Sequence, residues 1–127
     1  NPEGASVQHA VSNGRTVAAA VVEGVARDNA AARARGELGS IGMVVGATVG
    51  SAVTDLGLDL VASAGPLLAP GLGAQGGTPA ALRETFGAAL PQVLGTSSRE
   101  VLGAGPSVEA VRAAARRSAE AVAALLS

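Results

Sequence analysis

Three glycines, Gly42, Gly46 and Gly50, recur at four-residue spacing inside an apolar run, and they constrain this chain more than any other feature. Residues four apart on a helix lie nearly above one another. If the run is helical, the glycines form a groove without side chains, flanked by Val45, Val49 and Val53. Small residues at this spacing let a second helix approach closely. Each glycine costs a helix interior roughly 0.5–1 kcal/mol relative to alanine, so close packing is the expected compensation. The run therefore predicts a central glycine-zipper helix from about Ser40 to Ala64, with Gly42, Gly46, Gly50, Val45, Val49 and Val53 as its packing interface.

Charge supports a covered centre. Residues 1–37 carry four Arg and four acids, and residues 83–127 carry five Arg and four Glu, but residues 38–82 carry only Asp55 and Asp59. The uncharged stretch Leu38–Thr54 is 17 residues long, the short limit for a membrane span. An almost neutral middle between two amphipathic thirds implies burial in lipid or between protein surfaces. Asp55 and Asp59, four apart, would share one helical face as a polar interface.

The flanking segments read as helices. Asn13-Gly14 is a turn signal. Thr16 is a cap for a helix over Val17–Glu37, and this reading is preferred to a strand over Thr16–Val25. Gly65–Gly77 holds two prolines and five glycines and reads as an apolar linker. Thr78-Pro79 starts a helix to Leu90 with Leu82, Phe86, Ala89 and Leu90 as its stripe. Ser97-Ser98-Arg99-Glu100 has capping-box spacing for a short helix. Ser107 caps the last helix, whose stripe is Val108, Val111, Ala115, Ala119, Val122 and Leu126; Arg116 and Glu120 are placed to pair. The fold expected is all-α: one helical unit of four or five helices over 1–127, divided into an amphipathic segment 1–37, the zipper helix 38–64, a linker 65–77 and C-terminal helices 78–127.

Chemistry is sparse in this sequence. Gly71-Leu-Gly73-Ala-Gln-Gly76 matches the dinucleotide pattern GxGxxG ahead of a helix start, but prolines 66 and 70 sit where the required strand would end, so the match reads as chance in a chain with 18 glycines. His9 is the only histidine and reads as a surface residue, and Arg112, Arg116 and Arg117 alternate with Glu as a solvated helix face. Asp55 and Asp59 are too few ligands for a dedicated cation site. A net charge of −1 gives no footprint for nucleic acid. With no cysteine, thiolate metal sites are excluded.

The run Val45-Gly46-Ala-Thr-Val-Gly50-Ser-Ala-Val resembles in texture the glycine-zipper helices of several membrane-associated families, including small mitochondrial proteins and import-channel subunits, without singling one out. The expectation is a non-catalytic accessory subunit, packed against partner subunits of a larger complex at a membrane, with lipid contact allowed. It takes no cofactor and no small-molecule substrate. Localisation after presequence removal, organellar or exported, goes with this. A self-associating membrane-active protein is the second reading, and a soluble helical enzyme fragment the third.

Overall fold

The computed structural model describes residues 4–73 and 76–126. Asn1-Pro2-Glu3, and Ala74-Gln75 within the glycine match, lie outside the described residues. After a short helix α1 (Ala5–Gln8), Asn13 and Gly14 both take positive φ, 53° and 76°. That is the geometry a two-residue hairpin needs, and it joins β1 (Val11–Ser12) to β2 (Arg15–Thr16). Thr16 then caps α2 (Val17–Asp28), its hydroxyl accepting from the Ala19 amide at 3.1 Å. Val22 and Val25 face inward, Val17 and Val21 outward, and the helix breaks at Asn29 before α3 (Ala30–Ala34).

The middle of the chain is not a helix. It holds β3 (Met43–Val44), a short α4 (Ala52–Asp55), and β4 (Leu67–Ala69); β5 (Val93–Gly95) follows further on. These three strands form a parallel sheet in the order β3-β4-β5. The all-α expectation is thus corrected to a mixed α/β fold. Gly42 ends up beside the β4 approach, where a Cβ would run into the Pro66 carbonyl. Gly46 follows β3, and Gly50 takes φ +57° in a turn. The three glycines therefore share no helix face. Val45 is half-buried beside β3, Val49 is exposed in the turn, and Val53 is buried in α4. Asp55 ends α4 and accepts from the Ser51 hydroxyl, whereas Asp59 lies in the next turn and caps the Ala62 amide. They share no helix either. A parallel strand buried on one or both faces reads as a plain apolar run, which periodicity cannot tell from a helix segment.

The presumed linker contains the central strand. Pro66 and Pro70 bracket β4 instead of breaking it. Both carbonyls accept bonds from the β3 side, from Met43 at 3.0 Å and Ala47 at 2.8 Å. Leu67 and Ala69 are fully buried, covered by α5 (Pro79–Phe86), the 3-10 turn Gly87–Gln92 and α4. Helix α5 stops at Phe86, short of the expected Leu90, and a 3-10 turn takes over; Thr78 caps the Ala81 amide and Leu82, Phe86 and Ala89 lie inside as expected. After α6 (Arg99–Leu102) comes α7 (Val108–Leu126), capped by Ser107. Its buried residues are Ala114 and Leu125; Val108, Ala115 and Ala119 of the expected stripe are exposed, and the Leu126 side chain lies outside the described residues. The Arg116–Glu120 pair is not formed among the described residues, where the ion pairs are Arg15–Glu23 and Arg35–Glu37. No helix among the described residues is long and apolar enough to cross a membrane.

One buried side chain ties the N-terminal ends of β3 and β4 together. Asn29 is 3% exposed. Its Nδ2 donates to the carbonyls of Ile41 (2.7 Å) and Ser63 (3.0 Å), and its Oδ1 accepts from the Ile41 amide (3.3 Å). Gly39 and Gly65 leave it room, since a Cβ at either would press on Asn29. We expect Asn29→Ala to cost about 2–3 kcal/mol by stranding these buried groups. Asn29→Asp is the sharper test. A carboxylate there faces two carbonyl oxygens, so its folded pKa must rise above the unfolded value. Relative stability is then highest below the unfolded pKa and is lost as pH rises through the folded one. Urea midpoints should show the Asp variant recovering toward the parent between pH 7 and pH 4. Parallel pH profiles for the two proteins would remove Asn29 from this role.

Candidate functional site

The C-terminal ends of parallel strands are where open α/β sheets and barrels place their sites. Here three loops emerge together at that end. The β3 loop is tied to its neighbour through Val45 N to Leu68 O (2.9 Å) and Ala47 N to Pro70 O (2.8 Å), and the β5 loop through Thr96 N to Ala69 O (3.0 Å). The β4 loop, Gly71 to Gly77, closes on itself. Gly77 N donates to Gly71 O (2.9 Å), Gly73 N to Gly77 O (3.0 Å), and Gly76 N to Gly73 O (2.8 Å). Glycine is required at 77, where a Cβ would strike the Gly71 carbonyl and the Ala47 methyl.

Between the β4 and β5 loops lies a cavity of about 100 Å³, walled by Pro70, Gly71, Leu72, Thr96, Ser97, Ser98 and Arg99. That is room for a few waters or one small anion. Three hydroxyls and one guanidinium border it, and no carboxylate does. Arg99 joins no ion pair among the described residues, and the Ser97 Oγ is buried without a hydrogen-bond partner. Unsatisfied donors and a free cation beside a glycine-rich backbone favour an oxyanion. None of its lining residues pairs a hydroxyl with a carboxylate or an imidazole. Among the described residues, no group of three or more His, Asp or Glu is placed to hold a metal ion.

The strand whose absence argued against the glycine pattern is present: β4 ends at Ala69, two residues before Gly71. Ser97–Glu100, read as a capping box, does open a helix, but Ser98 makes no side-chain capping bond; the segment's polar groups line the cavity instead. The legible signal was the pairing of two short apolar runs, Leu67–Ala69 and Val93–Leu94, each followed by a Gly- or Ser-rich segment and a helix. His9, Asp55 and Asp59 are exposed and lie outside this cavity, and Arg117 lines a separate one behind the glycine loop.

The chain is similar to orotidine 5'-phosphate decarboxylases. It is 58% identical over 118 residues to that enzyme of Salinispora arenicola, and 52% identical over 119 residues to that of Streptomyces coelicolor, in each case covering 92% of this chain and 40% of the relative. It superposes with a TM-score of 0.84, at 50% identity, on the crystal structure of a Streptomyces avermitilis protein assigned to the same activity, covering 98% of this chain and 42% of that one. No family model matches. The chain thus spans about 40% of the length of the curated relatives it matches. These likenesses overturn the expected non-catalytic, membrane-associated accessory subunit. The relatives are enzymes, and their name specifies a small-molecule substrate, contrary to the expectation of none.

Ser97 provides a test of the cavity alone. Replacing it with Ala removes a buried hydroxyl that has no partner in the protein. Stability should therefore hold or rise by up to about 1 kcal/mol, while affinity for inorganic phosphate falls. Thermal melting and phosphate titration check the two signs; a clear loss of stability would show that the hydroxyl is a structural group.

Proposed function

We propose that this chain forms the phosphate-holding part of an orotidine 5'-phosphate decarboxylase. The observation that carries the reading is the anion-sized cavity bounded by Gly71, Ser97 and Arg99 at the ends of two adjacent parallel strands, in a chain 58% identical to such an enzyme. The substrate's 5'-phosphoryl group is remote from the carboxylate that leaves. Binding energy from a remote group lowers the barrier only if it is spent on holding the reacting part in place. Arg99 and the loop amides supply that hold as charge-assisted bonds. The groups that act on the pyrimidine come from outside this cavity.

The sheet itself supports a larger whole. β3 and β5 pair only with β4 among the described residues, so both edges are free. Val44, Leu68 and Leu94 stand in register across one face and are 68%, 40% and 57% exposed. Parallel sheets are normally covered on both faces. An apolar groove of about 510 Å³ also runs between β5 and α7, and Ala115 and Ala119 of the expected α7 stripe line it. Further strands and helices of a polypeptide as long as the relatives fill these places.

Two measurements test the reading. In a polypeptide of the relatives' length carrying this chain, loss of the orotate absorbance should follow addition of orotidine 5'-phosphate. Arg99→Ala should then lower kcat/KM for that substrate by roughly 10–100-fold, the worth of a charge-assisted contact, yet leave turnover of orotidine, which lacks the phosphate, unchanged. Equal losses on both substrates would place Arg99 elsewhere in the mechanism. Leu94→Asp should cost about 3 kcal/mol or more in the longer polypeptide, where its face is covered, and within about 1 kcal/mol in this chain, where it is exposed. Equal costs in the two would show that the face stays open.

A further inference from the structure

Arg99 and Glu100 are neighbours at the start of α6, and their side chains part around the glycine loop. Arg99 lines the small cavity with Gly71 and Leu72. Glu100 turns to the opposite side of the loop, where a Cβ on Gly73 would overlap its carboxylate; the Glu100 Cβ lies 3.4 Å from the same point. Gly73 also takes φ +69°, so no other residue leaves this space without strain. Behind the contact is a second cavity of about 300 Å³, bordered by Leu72, Gly73, Glu100 and Arg117. Empty space on that side means that Glu100 is what backs the loop at Gly73.

We propose that Glu100 is a positioning residue for the anion cavity. Among the described residues of the loop only Leu72 carries a side chain, and glycine has the largest backbone entropy to lose on ordering. The loop's own hydrogen bonds close the ring from Gly71 to Gly77 and the buried Leu72 side chain ties it to the core at one point, which leaves Gly73 without an anchor of its own. The Glu100 side chain fills the space over Gly73 and presses the Gly71–Leu72 backbone against the cavity that Arg99 borders. The contribution is one of shape. A carboxylate near a bound anion opposes it electrostatically, so removing the charge while keeping the shape leaves binding intact or tightens it. This inference rests on the reading of the cavity as a phosphate site.

The test uses the whole 127-residue chain, amide hydrogen exchange without ligand, and titration with inorganic phosphate. Glu100→Ala should speed exchange at Gly73, Gly76 and Gly77 by roughly tenfold or more, leave the Met43, Val45 and Ala47 amides unchanged, and weaken phosphate binding by about tenfold. Glu100→Gln should keep parental exchange and bind phosphate as tightly or more tightly; a purely electrostatic role would separate Gln from the parent, and an inert residue would leave Ala unchanged. Either result overturns the proposal. Should Glu100→Ala loosen the strand amides too, the reciprocal pair decides. Gly73→Ala forces a methyl into the Glu100 position, and adding Glu100→Ala to it should slow loop exchange again if the two sites touch through this contact; simple additivity overturns it. If the parent chain binds no phosphate, the phosphate reading fails, and the exchange rates alone still decide whether Glu100 holds the loop.

Discussion

Everything in this chain hangs on β4, three residues long and hydrogen-bonded on both sides. Leu67 and Ala69 point into the helical layer and are completely buried, and their backbone carries the ladders to β3 and β5. So short a strand has little intrinsic stability, since isolated strand pairs are marginal. It is held because the partners are fixed from elsewhere: α5 and the 3-10 turn cover it, and Asn29 pins the two segments that lead into β3 and β4. Polar bonding at the N-terminal ends and apolar burial at the centre leave the C-terminal ends free to carry unsatisfied groups.

That division explains why the polar residues of the two ends behave differently. Asn29 makes three bonds to backbone, with both of its Nδ2 donors used. Ser97, at the other end, is buried with no partner. Thr85 Oγ1 and Gln92 Oε1 are also buried without a partner, but of the three groups only the Ser97 hydroxyl borders a cavity that an arginine, Arg99, also lines.

The sequence made its helices legible and hid its strands. Thr16, Thr78 and Ser107 are caps in the structure as their spacing implied, and Leu82, Phe86 and Ala89 face the core as their spacing required. Capping and 3.6-residue patterns are local and survive tertiary context. The sheet strands have two or three residues each, too few for any period to register. The glycine series misled for a physical reason. Glycine at 42 does permit two backbones to meet closely, but they are strands, not helices. Spacing of four was a coincidence of a loop-strand-loop segment in which positive φ at Gly50, not a groove, demands glycine. The prolines misled in the same way, since Pro66 and Pro70 give up only donors, and the sheet uses their carbonyls.

The neutral middle of the chain, expected to be covered, is largely open: between Leu38 and Thr54 only Ala47 and Val53 are buried, while Leu38, Ile41, Val44 and Val49 are exposed. Its apolar residues belong partly to the core and partly to the free face of the sheet. Lipid is not needed to account for it. An apolar row of Val44, Leu68 and Leu94 left to water would draw chains together, and a parallel sheet has no solvated face by design. The same argument applies to α7, whose exposed alanines border a groove with a free strand edge beside it. Face, edge and groove adjoin one another around β5, so one added strand with its helix would cover part of all three. It would also stand next to Thr96–Arg99, at the rim of the cavity between the β4 and β5 loops.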